Sequence, residues 1–197
     1  MDIKLRLEEE KDWREVEHLT REAFWKKEKA AEKGIGCNEH YLVHTLRTSK
    51  EFVPELDFVA EIDGRLVGNV MYSMAYVERP DGTRHDVLSF GPLSVLPEYQ
   101  NQGVGSALMR HSLKMAAKLG YGSVLIFGHP TYYPRFGFKE AEEFGITTSW
   151  GDNSPAFMAM ELIEGDLNGV TGKFYGSPLF NVDDEKAVEF DKLFPNK

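Results

Sequence analysis

The stretch LSFGPLSVLPEYQNQGVGSALMRHSL, residues 88 to 113, decides the fold. In it an apolar strand leads through Pro97-Glu98-Tyr99 into a glycine-rich turn that opens directly into a helix. Such a turn gathers the unpaired N–H groups of the first helical turn around one point, with the positive end of the helix dipole behind them. Gly103 and Gly105 let the main chain approach a bulky anion, because a Cβ there would stand between ligand and amide. The turn therefore predicts a pyrophosphate site.

A plain strand-to-helix turn, in which the glycines only relieve strain, is the alternative interpretation of this segment. The segment lacks the Lys and Ser or Thr pattern of a P-loop and the G-x-G-x-x-G spacing of a dinucleotide fold. Gly91-Pro92 favours a ligand site, because proline removes an N–H from the strand ladder and should disturb pairing there. Backbone groups of Leu93 to Val95 would then be available to an extended, amide-bearing ligand such as pantetheine.

The sequence before this stretch predicts a short strand and two helices. The first residues alternate between apolar and charged, as expected of a half-buried strand. Apolar residues then recur at helical spacing from about Glu9 to Lys29. Gly34 and Gly36 end that helix, and Asn38 is placed as the N-cap of a second one.

A β-meander and a strand–helix–strand unit follow. Asp63-Gly64 is a strong signal for a two-residue hairpin, and Gly120 is placed to end a helix. We predict strands at 58–62, 65–77, 85–96, 123–127 and 156–162, a helix at 103–119, a small β element within 168–180, and a terminal helix at 184–193. This order indicates an α/β fold with a mixed sheet.

Composition limits the classes of function. The formal net charge of -9 disfavours a sequence-independent nucleic-acid binder, which needs excess Lys and Arg. The same negative charge would tend to attract a cationic acceptor such as an amine. No apolar run is long enough to cross a bilayer, and the N-terminal residues lack the continuous apolar core of a signal peptide. The single cysteine, Cys37, agrees with a reducing compartment. We therefore expect a cytoplasmic protein that binds neither nucleic acid nor membrane.

Two motifs at the right separation make the chain resemble the GNAT superfamily of N-acetyltransferases. Gln100, Gly103 and Gly105 match the family pattern of Gln or Arg, two residues, Gly, one residue, then Gly or Ala. About 30 residues later, YYPRFGF at 132–138 resembles the second signature of the family. The longer string GHPTYYPRFGF at 128–138 is similar to one branch of predicted N-acetyltransferases.

The resemblance covers roughly residues 1 to 162 and implies the GNAT acyl-CoA N-acyltransferase fold, a mixed central sheet with a splayed strand pair and flanking helices. Residues 1–162 would form the acetyltransferase domain, with 163–197 as a C-terminal extension packed on it. The cosubstrate would be acetyl-CoA, and no metal is expected. The residues implied in coenzyme binding are Leu93, Ser94, Val95, Gln100, Asn101, Gln102, Gly103, Val104, Gly105, Ser106 and His129.

By the same resemblance, backbone amides of Gln102 to Ser106 would hold the pyrophosphate. Leu93 and Val95 would pair with pantetheine, and an amide of this strand would polarise the acetyl carbonyl. Tyr133 lies four residues before Gly137, where the family places the tyrosine that assists the departing thiolate; packing against the coenzyme is the alternative, and Tyr132 replaces it if the register differs by one. The Ser106 hydroxyl would contact the coenzyme or bond its own backbone.

The chain departs from the family where a helix with an Asn normally precedes the tyrosine. Here Pro130 and Pro134 flank the two tyrosines, which limits any helix to about one turn. His129 would replace the Asn contact or serve as a structural turn residue. The general base is not identified, since Glu61, Glu78, Glu140 and Glu143 are available and none stands at a diagnostic position.

The resemblance leaves the acceptor open. The leading hypothesis is direct attack of a primary amine, from a small molecule or a protein, on acetyl-CoA in a ternary complex. A non-catalytic acyl-CoA-binding module and a transferase that uses a longer acyl group are the alternatives, and a homodimer is possible. His40 and His44, at i and i+4, have the spacing of a zinc pair, but no third ligand is evident and a partly exposed helix face is the simpler interpretation.

Overall fold

The computed structural model of the protein describes residues 2–195 and Lys197, and the chain divides into two compact units. The first unit holds the described residues up to Met71, together with Gly91–Leu108 and the segment from Pro178 onward. The second unit holds Tyr72–Phe90 and Met109–Ser177. The predicted division of the chain at residue 162 stays a prediction.

Five α-helices are defined within these described residues. They are α1 (Trp13–Phe24), α2 (Lys27–Lys33), α3 (Glu39–Leu46), α4 (Val104–Lys118) and α5 (Asp184–Asp191). None of them, over the part of the chain that is described, combines the length and apolar character that a bilayer crossing requires.

The same residues form nine strands. They are β1 (Lys4–Leu7), β2 (Phe58–Ile62), β3 (Arg65–Glu78), β4 (Arg84–Val95), β5 (Ser123–Phe127), β6 (Lys139–Glu140), β7 (Ile146–Thr148), β8 (Phe157–Glu161) and β9 (Gly172–Tyr175). Most of the predicted strands are therefore confirmed to within one or two residues.

The strands form one sheet, and its part in the first unit is an antiparallel meander with the order β1-β2-β3-β4. Leu5 lies opposite Ala60, and Phe58 lies opposite Val70. The turn between β2 and β3 has positive φ at both central residues, 50° at Asp63 and 80° at Gly64, which confirms the predicted hairpin.

The part of the sheet in the second unit is mixed. Its path is β3-β4-β5-β8-β6, while β9 pairs with β3 and β7. The β4–β5 pair is parallel and, among the described residues, is formed at one register position, Leu88 opposite Val124. From Ser123 to Phe127, β5 pairs along its length with β8 in the antiparallel direction. Pairing over so short a length is expected of two strands that splay apart.

Each unit has its own core. In the first, α1 turns Val16 and Leu19 inward and α3 turns Val43 and Leu46 inward, all at most 1% exposed. These spacings of three residues place each pair on one helix face. The core of the second unit consists of Ala75, Val77, Val87, Leu125, Ala141, Ile146, Phe157, Ala159, Leu167, Val170 and Phe174.

The predicted single helix from Glu9 to Lys29 is wrong, because the chain leaves the helical conformation at Trp25 (ψ 125°) and α2 begins at Lys27. Tertiary contacts explain the break. The Arg21 guanidinium lies 4.3 Å from the Trp25 ring centre, and Lys26 donates its N–H to the carbonyl of Gly36 at 3.0 Å. A Cβ on Gly36 would lie 2.3 Å from the Trp25 ring, so this glycine provides the space for the indole.

Two other predictions from local sequence need correction. Asn38 precedes α3 as predicted, but its side chain makes no capping bond and instead donates to Asp184 at 3.0 Å. Gly91-Pro92, a cis peptide bond, does not interrupt the strand, since β4 is continuous from Arg84 to Val95. Pairing with β3 continues past the proline, where Leu96 donates its N–H to Val67 at 2.9 Å.

Candidate active site

The turn between β4 and α4, in the first unit, has the geometry of an anion site. Asn101 has φ 59° and Gly103 has φ 93°, and the first helical bond runs from the Ala107 N–H to the Gly103 carbonyl at 2.9 Å. The N–H groups of residues 104–106 precede that bond and therefore lack an intrahelical acceptor. A Cβ on Gly103 would meet no heavy atom within 4 Å, and residues 100–103 are exposed. The turn is open to solvent.

Side-chain amides brace this turn from within. Gln100 Nε2 donates to the carbonyl of Val95 at 3.0 Å, and Gln102 Nε2 donates to the carbonyl of Glu98 at 2.6 Å. Both bonds join the turn to the segment immediately before it. The two glutamines therefore stabilise the shape of the turn.

At the end of β4, one edge of the backbone faces β3 and the other edge faces away from it. Since the Leu96 N–H bonds to Val67, alternation directs the N–H and C=O groups of Leu93 and Val95 to the opposite edge. Ser94 is fully buried, and its hydroxyl lies 3.0 Å from the hydroxyl of Thr20. Ser94 therefore fixes the strand on α1, while Leu93 and Val95 provide the outward backbone groups.

Tyr133, in the second unit, begins a one-turn 3₁₀ helix, Tyr133–Phe136, as the prolines around it predicted. Its ring centre lies 5.7 Å from that of Phe90 and 5.8 Å from that of Phe138. It also rests on Gly128, where a Cβ would lie 2.2 Å from the tyrosine ring. Burial raises the pKa of Tyr133 to about 12.

The raised pKa alters what Tyr133 can do chemically. A thiol has a pKa near 8.5, so complete transfer of a proton from a phenol of pKa about 12 to a thiolate is unfavourable by roughly three to four units. A buried phenol still donates a strong hydrogen bond to an anionic acceptor. A phenol with this pKa is therefore better suited to donating a hydrogen bond to a thiolate than to transferring its proton completely. Tyr132, the alternative, is half-buried beside the guanidinium of Arg135.

His129 is exposed and takes part in a local turn. Its Nδ1 accepts a hydrogen bond from the Thr131 hydroxyl at 3.0 Å, and its carbonyl accepts the Tyr132 N–H at 2.9 Å. Both contacts belong to the structural-turn alternative. A coenzyme contact of His129 stays a prediction.

The four acidic residues considered as a general base differ in their surroundings. The Glu61 carboxylate forms ion pairs with Arg6 at 3.1 Å and with Lys4 at 3.8 Å. Glu78 is half-buried, and Glu140 and Glu143 are exposed. The contacts of these residues assign the base to none of them.

A cysteine, a histidine and an aspartate line up in the first unit. The Cys37 sulfur lies 3.5 Å from His40 Nδ1, and His40 Nε2 lies 3.1 Å from an oxygen of Asp191. Arg21 binds the same carboxylate at 2.6 and 3.1 Å. His40 is fully buried and His44 is exposed, so the helix face that the two histidines share is partly exposed, as predicted.

This arrangement does not form a nucleophile. Burial raises the pKa of the Cys37 thiol to about 12 and lowers the pKa of His40 to about 4. Thiol and imidazole are therefore both neutral at pH 7, and a neutral thiol is a weak nucleophile. His44 contacts a different carboxylate, that of Glu17 at 2.9 Å. The cluster fixes α5 to α1 and α3, and sequence spacing gave no signal for it because Asp191 is distant along the chain.

Comparison with known proteins identifies a family and close structural relatives. The model of the acetyltransferase (GNAT) family matches residues 12–138. The uncharacterized N-acetyltransferase YhbS of Escherichia coli strain K12 is 33% identical over 135 residues, which are 68% of this chain and 78% of YhbS. The uncharacterized N-acetyltransferase YjhQ of the same strain is 35% identical over 99 residues, 50% of this chain and 54% of YjhQ.

Two solved structures match most of the chain. The crystal structure of YhbS from Escherichia coli, in complex with CoA, superposes with a TM-score of 0.77 at 29% identity and covers 91% of this chain and 92% of its own. A GNAT-family acetyltransferase from Brucella melitensis, in complex with acetyl-CoA, has a TM-score of 0.68 at 24% identity and covers 91% and 98%. The second likeness is one of fold.

Proposed function

This chain belongs to the acetyltransferase (GNAT) family, and on that premise we propose that it transfers the acetyl group of acetyl-CoA to a primary amine by direct attack in a ternary complex. Its fold is that of the family, a mixed sheet with flanking helices. The observation that carries the proposal is the open turn before α4, whose first N–H groups lack helical acceptors. The branch marked by GHPTYYPRFGF stays a prediction.

The proposed mechanism begins at the backbone. Amides from Gln102 to Ser106 hold the pyrophosphate, where the helix dipole adds to their hydrogen bonds. The outward edge of Leu93 to Val95 pairs with the pantetheine amides, which requires the Gln100 side chain to leave the Val95 carbonyl if that oxygen is used. An N–H of this strand donates to the acetyl oxygen and stabilises the charge that develops there.

The transfer step joins the amine nitrogen to the acetyl carbon and releases the sulfur. The neutral amine attacks the acetyl carbon with its lone pair, a C–N bond forms, and the C–S bond breaks with its electron pair on sulfur. One proton leaves the nitrogen and the thiolate gains one, so the products are an acetamide and free CoA. Tyr133 donates a hydrogen bond to sulfur as its negative charge grows, a role that keeps the proton mainly on the phenol. Water or a carboxylate accepts the proton of the amine.

Experiments can distinguish the proposed acetyl transfer from two alternative functions. A non-catalytic acyl-CoA-binding module would bind the coenzyme without releasing thiol in the presence of any amine. A transferase for longer acyl groups would co-purify with the corresponding acyl-CoA, which mass spectrometry of the bound cofactor would identify. Cytoplasmic location and a homodimer stay predictions, as does the identity of the acceptor.

We expect Ser106→Asp to abolish or strongly weaken acetyl-CoA binding while leaving the protein folded. A carboxylate in the first turn of α4 interacts favourably with the helix dipole, so stability is kept. The same carboxylate competes for the N–H groups and repels the diphosphate, which should raise the Kd by about tenfold or more.

Isothermal titration of acetyl-CoA, with the melting temperature measured in parallel, tests this prediction. Ser106→Asn is the matched control, because it has the same size and adds no charge. Equal affinity of the Asp variant and the natural protein would place the pyrophosphate elsewhere. Absence of any acetyl-CoA binding by the natural protein would remove the proposed function.

We expect Tyr133→Phe to lower kcat about tenfold to a hundredfold, with little change in the Kd for acetyl-CoA. Because the Tyr133 pKa is about 12, the phenol stays protonated across the working range, and the pH profile of kcat should keep its shape. Thiol release measured between pH 6 and 10 checks both points. A basic limb that disappears in the variant would show that Tyr133 itself titrates, against the hydrogen-bond role.

A further inference from the structure

Phe180, in the first unit, places its ring against β4 at Gly91. A Cβ built on Gly91 would lie 3.2 Å from Phe180 Cε1 and 3.9 Å from Phe180 Cζ. Apart from Gly91 itself and its two chain neighbours, no other heavy atom of the described residues comes within 4 Å of that position. Phe180 is therefore the wall of an otherwise open space beside Gly91, and 37% of the residue is still exposed to solvent.

Gly91 lies at the thioester end of the proposed coenzyme site. In that site the pyrophosphate is held after β4, by the amides of residues 102–106, and the pantetheine amides pair with Val95 and Leu93. The arm therefore runs back along β4, and its thioester comes last, on the side of Leu93 that faces Gly91. At a rise of about 3.3 Å per residue, Gly91 is about 7 Å from Leu93. An acyl chain of several methylene groups spans that distance.

The segment that carries Phe180 is fixed to the rest of the first unit on both sides. Residues Pro178–Phe180 form a 3₁₀ turn that packs against α3, and the Asn181 N–H donates to the Pro178 carbonyl at 3.1 Å. The helix that follows, α5, is held to α1 by the ion pair of Arg21 with Asp191 at 2.6 Å. These contacts limit how far the Phe180 ring can withdraw from β4.

A second contact fixes α5 to α3. Phe190, on α5, lies with its ring centre 4.5 Å from that of His44 and 5.4 Å from that of Tyr41. Asp184, at the start of α5, accepts a hydrogen bond from the Asn38 side chain at 3.0 Å. The chain between the 3₁₀ turn and α5 is therefore short and anchored at each end.

A ring in this position discriminates between acyl groups by their length. The acetyl group ends in one methyl group beside the carbonyl carbon, so it stops before the ring. Each further methylene extends the chain toward the space that Phe180 occupies. Forcing extra methylenes into occupied space costs binding energy, and a single methylene in such a pocket changes affinity by about tenfold or more.

We propose that Phe180 determines the acyl-chain specificity of this protein, by occupying the space beside Gly91 into which any acyl group longer than acetyl would extend. This inference rests on the proposed acetyltransferase function. It assigns to one side chain the choice between acetyl-CoA and longer acyl-CoA thioesters as the donor.

The test measures the Kd values of CoA, acetyl-CoA and hexanoyl-CoA for the full chain by titration calorimetry, with the melting temperature recorded in parallel. For the natural protein, we expect the Kd of hexanoyl-CoA to exceed that of acetyl-CoA by about tenfold or more. Phe180→Ala should reduce this ratio to about twofold or less. The Kd of CoA, which carries no acyl group, should change less than about twofold in the variant. Phe180→Leu, which keeps a smaller apolar side chain, should give an intermediate ratio.

Leu193→Ala is the matched control, because Leu193 is also a large apolar residue of the C-terminal segment and is 65% exposed. It should leave the ratio of the natural protein unchanged. Equal Kd values of acetyl-CoA and hexanoyl-CoA for the natural protein would overturn the inference while the coenzyme site stands. An unchanged ratio in Phe180→Ala and Phe180→Leu, or an equal fall in Leu193→Ala, would overturn it as well. If neither CoA nor acetyl-CoA binds the natural protein, the proposed function fails first.

Discussion

Replacing Arg21 with Met is expected to lower the free energy of unfolding by about 3–5 kcal/mol, the range for removal of one partner from a buried ion pair. Arg21 is 2% exposed and binds both oxygens of Asp191, on α5, at 2.6 and 3.1 Å. Without the guanidinium, the carboxylate keeps His40 as its close partner. Because Arg21 contributes to the low pKa of His40, that pKa should rise in the variant.

Urea denaturation followed by circular dichroism measures the loss, and two further variants make it specific. Lys33→Met removes an exposed ion pair to Asp184 on the same helix α5, at 3.1 Å, and should cost less than about 1 kcal/mol. Arg21→Met with Asp191→Leu removes both charges and should recover much of the stability. A single-variant loss no larger than that of Lys33→Met would contradict the assigned role of the pair.

Replacing Gly172 with Ala is expected to destabilise the second unit by about 3 kcal/mol or more, from backbone strain and overpacking together. Gly172 has φ 137°, and a Cβ there would lie 2.0 Å from the Glu78 carbonyl oxygen. That oxygen belongs to the β3 backbone, which pairs with β9 at this point. It cannot move aside as the end of a side chain would.

Gly169→Ala separates the two contributions. Gly169 also has positive φ, 72°, but a Cβ on it would meet no heavy atom within 4 Å. It should therefore cost only the strain of the left-handed conformation, about 1 kcal/mol. Thermal unfolding of both variants measures the difference, and equal losses would mean that the contact with β3 has no cost of its own.

The elements that the sequence predicts best are those defined by local pattern. The apolar run Ser123–Phe127 and the strand Phe58–Ile62 have the predicted bounds. The helix after the glycine-rich turn begins at Val104, one residue from its predicted start. The turn itself was predictable for the same reason, because its glycines, its preceding strand and its following helix are contiguous.

The features that the sequence does not reveal depend on contacts between distant segments. The helix break at Trp25 requires Gly36 to receive the indole, and helical periodicity alone continues through that position. Asn38 has the composition of a cap, yet Asp184, 146 residues away, takes its side chain. Glu140, Asn153 and Phe157 line one cavity of the second unit, and only folding shows that these residues meet.

Because Cys37 is buried, an assay that measures thiol release should have no background signal from the protein. Cys37 is the chain's single sulfhydryl, fully covered and uncharged at neutral pH, so a chromogenic disulfide reagent should not detect the native enzyme. Colour in such an assay then comes from liberated coenzyme alone, free of background from the polypeptide. The same reagent, added under denaturing conditions, becomes a quantitative probe of unfolding.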